Sequence, residues 1–118
     1  MINSRMKGKV GELELAQFLR SRGFTNAARG QQFKGGSESP DVAGLPGYHI
    51  ECKRVESGNL YNWIDQSIRD SDGLSIPIVC HRKNRRDWIT ILRLEDFLDL
   101  VKRASPNAVC TNEPIESG

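Results

Sequence analysis

Asp41 and the triplet Glu51-Cys52-Lys53 are the residues of this 118-residue chain whose types and spacing suit chemistry. Leu45-Pro46-Gly47 between them supplies a turn, and Tyr48 to Val55 alternates as a strand does. The spacing predicts a hairpin with Asp41 at the head of one strand and the triplet on the next. Folding back brings two carboxylates and one ammonium to one end of a sheet. Converging carboxylates repel unless a cation sits between them, and hard oxygen donors with room for water suit Mg2+ or Mn2+. Such an ion polarises a phosphate oxygen and makes hydroxide available near neutral pH, and Lys53 is placed to position that water or to stabilise charge on the phosphoryl oxygens. The pattern points to hydrolysis of phosphoesters. An alternating acid and base on a strand also makes an ordinary salt-bridged sheet edge, and residue types alone leave that reading open.

The elements that must position these residues follow from periodicity. Met6 to Arg22 reads as a first helix, with Arg20 and Arg22 suited to its negative end and Gly23 to a left-handed stop. Phe24 to Arg29 reads as a short strand, and 30–40 as a mobile loop rich in glycine and serine. Asp41 to Gly44 and Tyr48 to Val55 form the hairpin; on its second strand Tyr48, Ile50 and Cys52 face one way and His49, Glu51, Lys53 and Val55 the other. Ser57-Gly58-Asn59 caps a second helix whose stripe of Leu60, Trp63, Ile64, Ser67 and Ile68 faces the sheet. Ile76 to Arg82 and Asp87 to Arg93 read as strands joined by the basic loop Lys83-Asn84-Arg85-Arg86, and Glu95 to Ala104 as a third helix. The expected architecture is α/β, a small mixed sheet with helices packed on it.

Length and composition allow one domain, 37% hydrophobic and 27% charged. No apolar run spans a membrane and no signal-peptide stretch opens the chain, so the expected setting is cytoplasmic, with no membrane partner. Cys52, Cys80 and Cys110 lack zinc-ligand spacing and read as reduced, mostly buried small residues; His49 and His81, without ligand partners, read as structural. The net charge is only +2, but it is uneven: residues 1–36 and 81–93 are strongly basic and the remainder is acidic. The Arg82-to-Arg86 run is the leading phosphate-contact candidate, because guanidinium groups grip phosphate oxygens in pairs. Trp88 beside it reads as core.

Pro40-Asp41 followed by Glu51-Cys52-Lys53 resembles the signature of the PD-(D/E)xK nuclease superfamily. Lys7-Gly8-Lys9-Val10-Gly11-Glu12 looks like the opening of its Holliday junction resolvase branch, in which a first-helix glutamate completes the metal site. The likeness continues through Arg29, Gly35-Gly36, Gln66 and the His81-to-Trp88 hairpin, and is closest to small resolvase-like nucleases encoded by phages. It implies a restriction-endonuclease-like core over residues 1–104, with 105–118 a loosely held tail, and a Mg2+- or Mn2+-dependent endodeoxyribonuclease. Asp41, Glu51, Glu12 and the Cys52 carbonyl are the implied metal ligands, Lys53 assists the water, and Gln66 binds a metal-bound water or a phosphate. Glu12 equally suits a solvated helix face, and Gln66 an ordinary surface amide. For DNA, Arg82, Lys83, Arg85 and Arg86 form one wall of a groove. Lys7, Lys9, Arg29 and Lys34, with Arg5, form the other, and the glycine-rich loop closes over the duplex. Resolving a four-way junction takes two symmetric nicks, and one chain holds one site, so a homodimer is expected, with Tyr61, Trp63 and the third helix as candidate contacts. Branched or four-way DNA is the first substrate reading. A restriction- or repair-like endonuclease on duplex DNA and a catalytically silent DNA-binding module are the alternatives.

Overall fold

The computed structural model describes residues 4–30 and 40–108. The glycine-rich stretch with Lys34, Gly35 and Gly36, and the chain's end with Cys110, lie outside the described residues, as do the expectations of a mobile loop and a loose tail beyond residue 108. The first helix, α1, runs Ser4–Ser21. It ends where the sequence predicts: Gly23 takes φ +102°, and the Phe24 N–H reaches back to the Leu19 carbonyl at 3.0 Å, the wrap that satisfies the last carbonyls of a helix.

Among the described residues five strands follow, β1 (Ala28–Arg29), β2 (Val42–Ala43), β3 (Tyr48–Lys53), β4 (Ile76–His81) and β5 (Ile89–Ile91), lying side by side in chain order. All neighbours are antiparallel except β3 and β4, which run parallel through the crossover helix α2 (Leu60–Asp70). Asn59 caps α2, its Oδ1 accepting from the Asn62 N–H at 3.0 Å. The outer strands are shorter than alternation suggests. Of the stretch expected to begin at Phe24, only Ala28–Arg29 pairs, because the preceding residues close a turn, the Ala27 N–H bonding the Phe24 carbonyl at 3.0 Å.

The alternation of β3 sorts its side chains onto two cores. Ile50 packs with Leu15 and Ala16 of α1, Val42, Ile78 and Cys80, while Tyr48 and Cys52 border that cluster. On the opposite face Val79 packs with Trp63 and Ile64 of α2. Ser67, fully buried, donates to the Ile78 carbonyl at 3.0 Å, so the polar member of the α2 stripe is satisfied where it meets the sheet. Trp63 is core, which corrects its expected place on a partner surface; Tyr61 is exposed.

The third helix, α3 (Leu94–Ala104), departs from expectation more sharply. With α1 and α2 already covering the sheet's faces, α3 does not lay its apolar stripe on the sheet. Its substantial contacts are with the short 3-10 turn Pro106–Ala108, and its buried residue is Asp96, bonded to the Arg93 guanidinium at 2.9 Å. Among the described residues no helix is long and apolar enough to cross a membrane.

One close approach fixes the edge that carries Asp41. The Gly30 N–H donates to the Asp41 carbonyl at 2.8 Å, and a Cβ built at Gly30 would collide with the backbone carbonyl of Pro40. Gly30→Ala should therefore cost about 1–3 kcal/mol, as overpacking against backbone does; urea unfolding checks it, and an unchanged midpoint would show that the edge yields freely.

Candidate active site

Asp41 is clamped to β3 by its own backbone and side chain. Its N–H donates to the Ile50 carbonyl at 2.8 Å, and its Oδ2 accepts the Cys52 N–H at 2.8 Å. Glu51, only 3% exposed, has its Oε2 3.2 Å from Nε2 of His49, which is 4% exposed. Burial pushes the Glu51 carboxyl up to about 8, and the charge of Asp41 and a hydrogen bond between the two carboxyl groups push the same way, against the pull of Lys53. Glu51 thus largely keeps its proton at neutral pH in the metal-free chain. Burial also lowers His49, leaving its ring neutral. Burial raises both thiols as well, Cys80 to about 11 and Cys52 further, so these cysteines are inert and reduced, as expected.

Two flanking groups complete the cluster. Lys53 Nζ donates to Gln66 Oε1 at 3.2 Å, joining two of the sequence-predicted residues across β3 and α2. Glu12 accepts from Arg29 Nε at 2.9 Å; burial raises its carboxyl, Asp41 adds to the rise, and Arg29 opposes it. Gly11, whose added Cβ would strike the Arg54 side chain, lets α1 come close enough for Glu12 to feel Asp41. Among the described residues no group of three or more acidic, histidine or cysteine side chains is placed to hold an ion. The donor types still suit a hard divalent cation: the carboxyls of buried Glu51 and half-buried Asp41, the neighbouring backbone carbonyl at Cys52, and a third carboxyl at Glu12, which lies on Arg29.

The basic loop between β4 and β5 is tied back to α1. Glu14 accepts from Arg54 Nε and from Arg82 at 2.8 Å each, Arg54 also reaches Asn84 Oδ1 at 3.1 Å, and Glu56 accepts the Asn84 N–H at 2.9 Å. Arg82 is spent inside the molecule, whereas Lys83, Arg85 and Arg86 are exposed. Arg85 sits at φ +63°, a left-handed conformation that costs a side-chain-bearing residue about 1–2 kcal/mol. A groove of about 480 Å³ beside the loop is lined by Leu60, His81, Lys83, Arg86 and Ile89.

A family described as phage putative PDDEXK endonuclease matches residues 3–113. The chain belongs to this family. No curated protein and no solved structure gives a match. For a PD-(D/E)xK family member, the five-stranded mixed sheet between α1 and α2 is the restriction-endonuclease-like α/β core that the signature implied.

Within this phage endonuclease family member, the fold gathers Asp41, Glu51, Lys53, Gln66 and Glu12 where the start of β2 meets the end of β3. The head of the basic loop touches them through the backbone, the Arg82 N–H donating to the Lys53 carbonyl at 3.1 Å, while Lys83, Arg85 and Arg86 are exposed. Arg29, expected on the DNA-facing wall, is engaged by Glu12. Lys9 is exposed on α1, and the Lys7 side chain and Lys34 lie outside the described residues. His81 Nε2–H donates to the Val55 carbonyl at 2.9 Å and the ring packs on Trp63, in the structural role expected. Trp88 borders the α1-side core, also as expected. Missed in the sequence were Arg54 and the clamping role of Glu14, contacts 40 and 68 residues apart that no local period encodes. The contact of His49 with Glu51 was foreshadowed by their common strand face.

The raised Glu51 carboxyl has a consequence for stability. Between the ordinary value of 4.5 and about 8, the folded metal-free chain keeps a proton that the unfolded chain releases, so this group's contribution to stability falls as pH rises through that window. Glu51→Gln removes the titration. In chelator, its melting temperature should exceed the parent's by more at about pH 8 than near pH 5; an equal difference at both pH values would contradict the assignment.

Proposed function

We propose that the chain is a divalent-metal-dependent DNA endonuclease that hydrolyses phosphodiester bonds, its nuclease unit lying within residues 1–104. The observation that carries this reading is the pair of acids, buried Glu51 and half-buried Asp41, with Lys53 beside them. A structural salt bridge would place the lysine on a carboxylate; here Lys53 is held instead by the neutral Gln66 amide, 3.2 Å away, and two acids are left facing each other.

Asp41, Glu51, the Cys52 carbonyl and Glu12 would hold Mg2+ or Mn2+, which when bound supplies a polarised phosphate oxygen and a hydroxide near neutral pH. Glu51 would have to release its proton to bind the cation, so cation affinity would rise with pH through the neutral range. Lys53, oriented by Gln66, aligns the attacking water and stabilises charge on the phosphoryl oxygens. Arg29, which now pairs with Glu12, would be free to meet a phosphate if Glu12 held the cation. Lys83, Arg85 and Arg86 bind phosphates further along the strand, with Lys7, Lys9 and Lys34 on the opposite wall.

Branched DNA, a four-way junction above all, is the proposed substrate, cut by a homodimer through two nicks in the service of DNA recombination or repair in the host cytoplasm. Labelled junction, flap, duplex and single-stranded DNA, each with Mg2+, Mn2+ or EDTA, test the reading. Paired symmetric nicks confined to the junction support it; equal cutting of linear duplex moves the answer to a restriction- or repair-like endonuclease. Asp41→Ala should lower cleavage by on the order of 100-fold or more while DNA binding is kept. Binding with no metal-dependent cutting of any substrate by the parent chain would leave a silent DNA-binding module.

Arg85 offers a separate check, because its backbone conformation favours glycine. Arg85→Gly should leave stability unchanged or raise it by up to about 1 kcal/mol, yet weaken DNA binding and flatten its salt dependence by about one phosphate contact. An unchanged salt slope would remove the loop from the DNA-binding surface.

A further inference from the structure

The α3 helix is turned inside out relative to an ordinary surface helix. Leu94, Phe97, Leu98 and Val101 recur at three- and four-residue intervals, the spacing of a single helical face. They are 69%, 49%, 47% and 38% exposed. The buried position is polar: Asp96, held by Arg93. An 11-residue helix is too short to be stable in water on propensity alone, and among the described elements nothing covers its apolar face.

The charges beside the stripe say what does. Glu95 and Lys102, both exposed, lie two turns apart on the same edge of the apolar face. When two copies of such a helix meet antiparallel about a two-fold axis, each edge lies against its own equivalent with the direction reversed. Glu95 of one copy then faces the partner's Lys102, and Lys102 faces the partner's Glu95. Phe97 and Leu98 meet at the centre of the contact, with Leu94 against the partner's Val101 at either end. A parallel pairing would set the charged edge against the edge formed by Leu100 and Ala104 and leave both charges unmatched. The pattern is therefore complementary to itself in one orientation only, and a two-fold contact of this kind closes on itself without building filaments.

We propose that α3 is the dimerisation helix of this protein, pairing antiparallel with α3 of a second copy through the Leu94, Phe97, Leu98 and Val101 stripe and two Glu95–Lys102 ion pairs. The pairing supplies the second site that two-nick cleavage demands, and in that respect it deepens the nuclease reading and rests on it; the assembly itself is measured without any cleavage, so the two fail separately. Helices about 16 Å long give a contact at the small end of specific interfaces, on the order of 1,000 Å², so the dimer should dissociate in the micromolar range.

Sedimentation equilibrium of the full chain across micromolar to submillimolar concentrations tests it. The parent should approach the mass of two chains. Phe97→Asp and Leu98→Asp should each weaken association at least about tenfold, as loss of a central interface anchor does, with the far-ultraviolet dichroism of the sheet and of α1 and α2 retained. Glu95→Lys and Lys102→Glu should each weaken the dimer, and the double variant Glu95→Lys/Lys102→Glu should recover it. Failure of the double variant to recover would reject the antiparallel arrangement. A parent chain that sediments as one copy throughout overturns the proposal, and dimerisation that emerges only after deletion of residues 109–118 would assign the stripe to the chain's own end and overturn it equally.

Discussion

Two carboxyl groups, one buried and one half-buried, held close on neighbouring strands set the terms for everything around them. Asp41 is not free to swing away from Glu51, because a backbone bond to Ile50 and a side-chain bond from the Cys52 N–H fix it at both ends. Glu51 is equally confined, buried beside His49. The metal-free fold bears this repulsion by raising the Glu51 carboxyl to about 8, so that Glu51 stays largely protonated at neutral pH. The neighbours conform to the same constraint. Lys53 stands off on Gln66 rather than collapsing onto an acid, and Arg29 draws the third carboxyl, Glu12, aside.

Positive charge is apportioned just as deliberately. Arg54 and Arg82 are consumed by Glu14, which staples the approach to the basic loop onto α1, while Asn84 is held at both its amide side chain and its backbone N–H. That leaves a loop whose base is rigid and whose exposed members, Lys83, Arg85 and Arg86, project from fixed positions. Exposed pairs of this kind add little stability individually; their effect is to orient the loop. Paratope-like precision on a loop comes from such anchoring, since an unanchored loop would lose more entropy on meeting its ligand.

Much of the hairpin and of α2 was legible in the sequence because their signals are local. The two-residue period of β3 sorted His49, Glu51 and Lys53 from Ile50 and Cys52, Leu45-Pro46-Gly47 marked the turn, and Asn59 marked the cap. The positions of Asp41, Glu51 and Lys53 in one unit followed from those signals together with the family resemblance. What stayed hidden depends on residues far apart in the chain: the parallel pairing of β3 with β4, the Glu12–Arg29 bond and the Glu14 clamp. The third helix shows a different limit. Its period announced a helix correctly, but period cannot say whether an apolar face turns toward its own sheet, and here the sheet's two faces were already taken by α1 and α2.

The sheet's unequal strands carry a kinetic implication. β3, α2 and β4 form a contiguous unit whose strands pair over six residues, whereas Asp41 rides in on β1 and β2, two residues each, at one margin. Short outer strands with few hydrogen bonds open at a fraction of the free energy needed to unfold the whole molecule. The acid pair therefore parts each time that margin frays, so amide exchange at Val42 and Ala43, rather than the global melting point, measures how much of the population holds the two acids together at any moment.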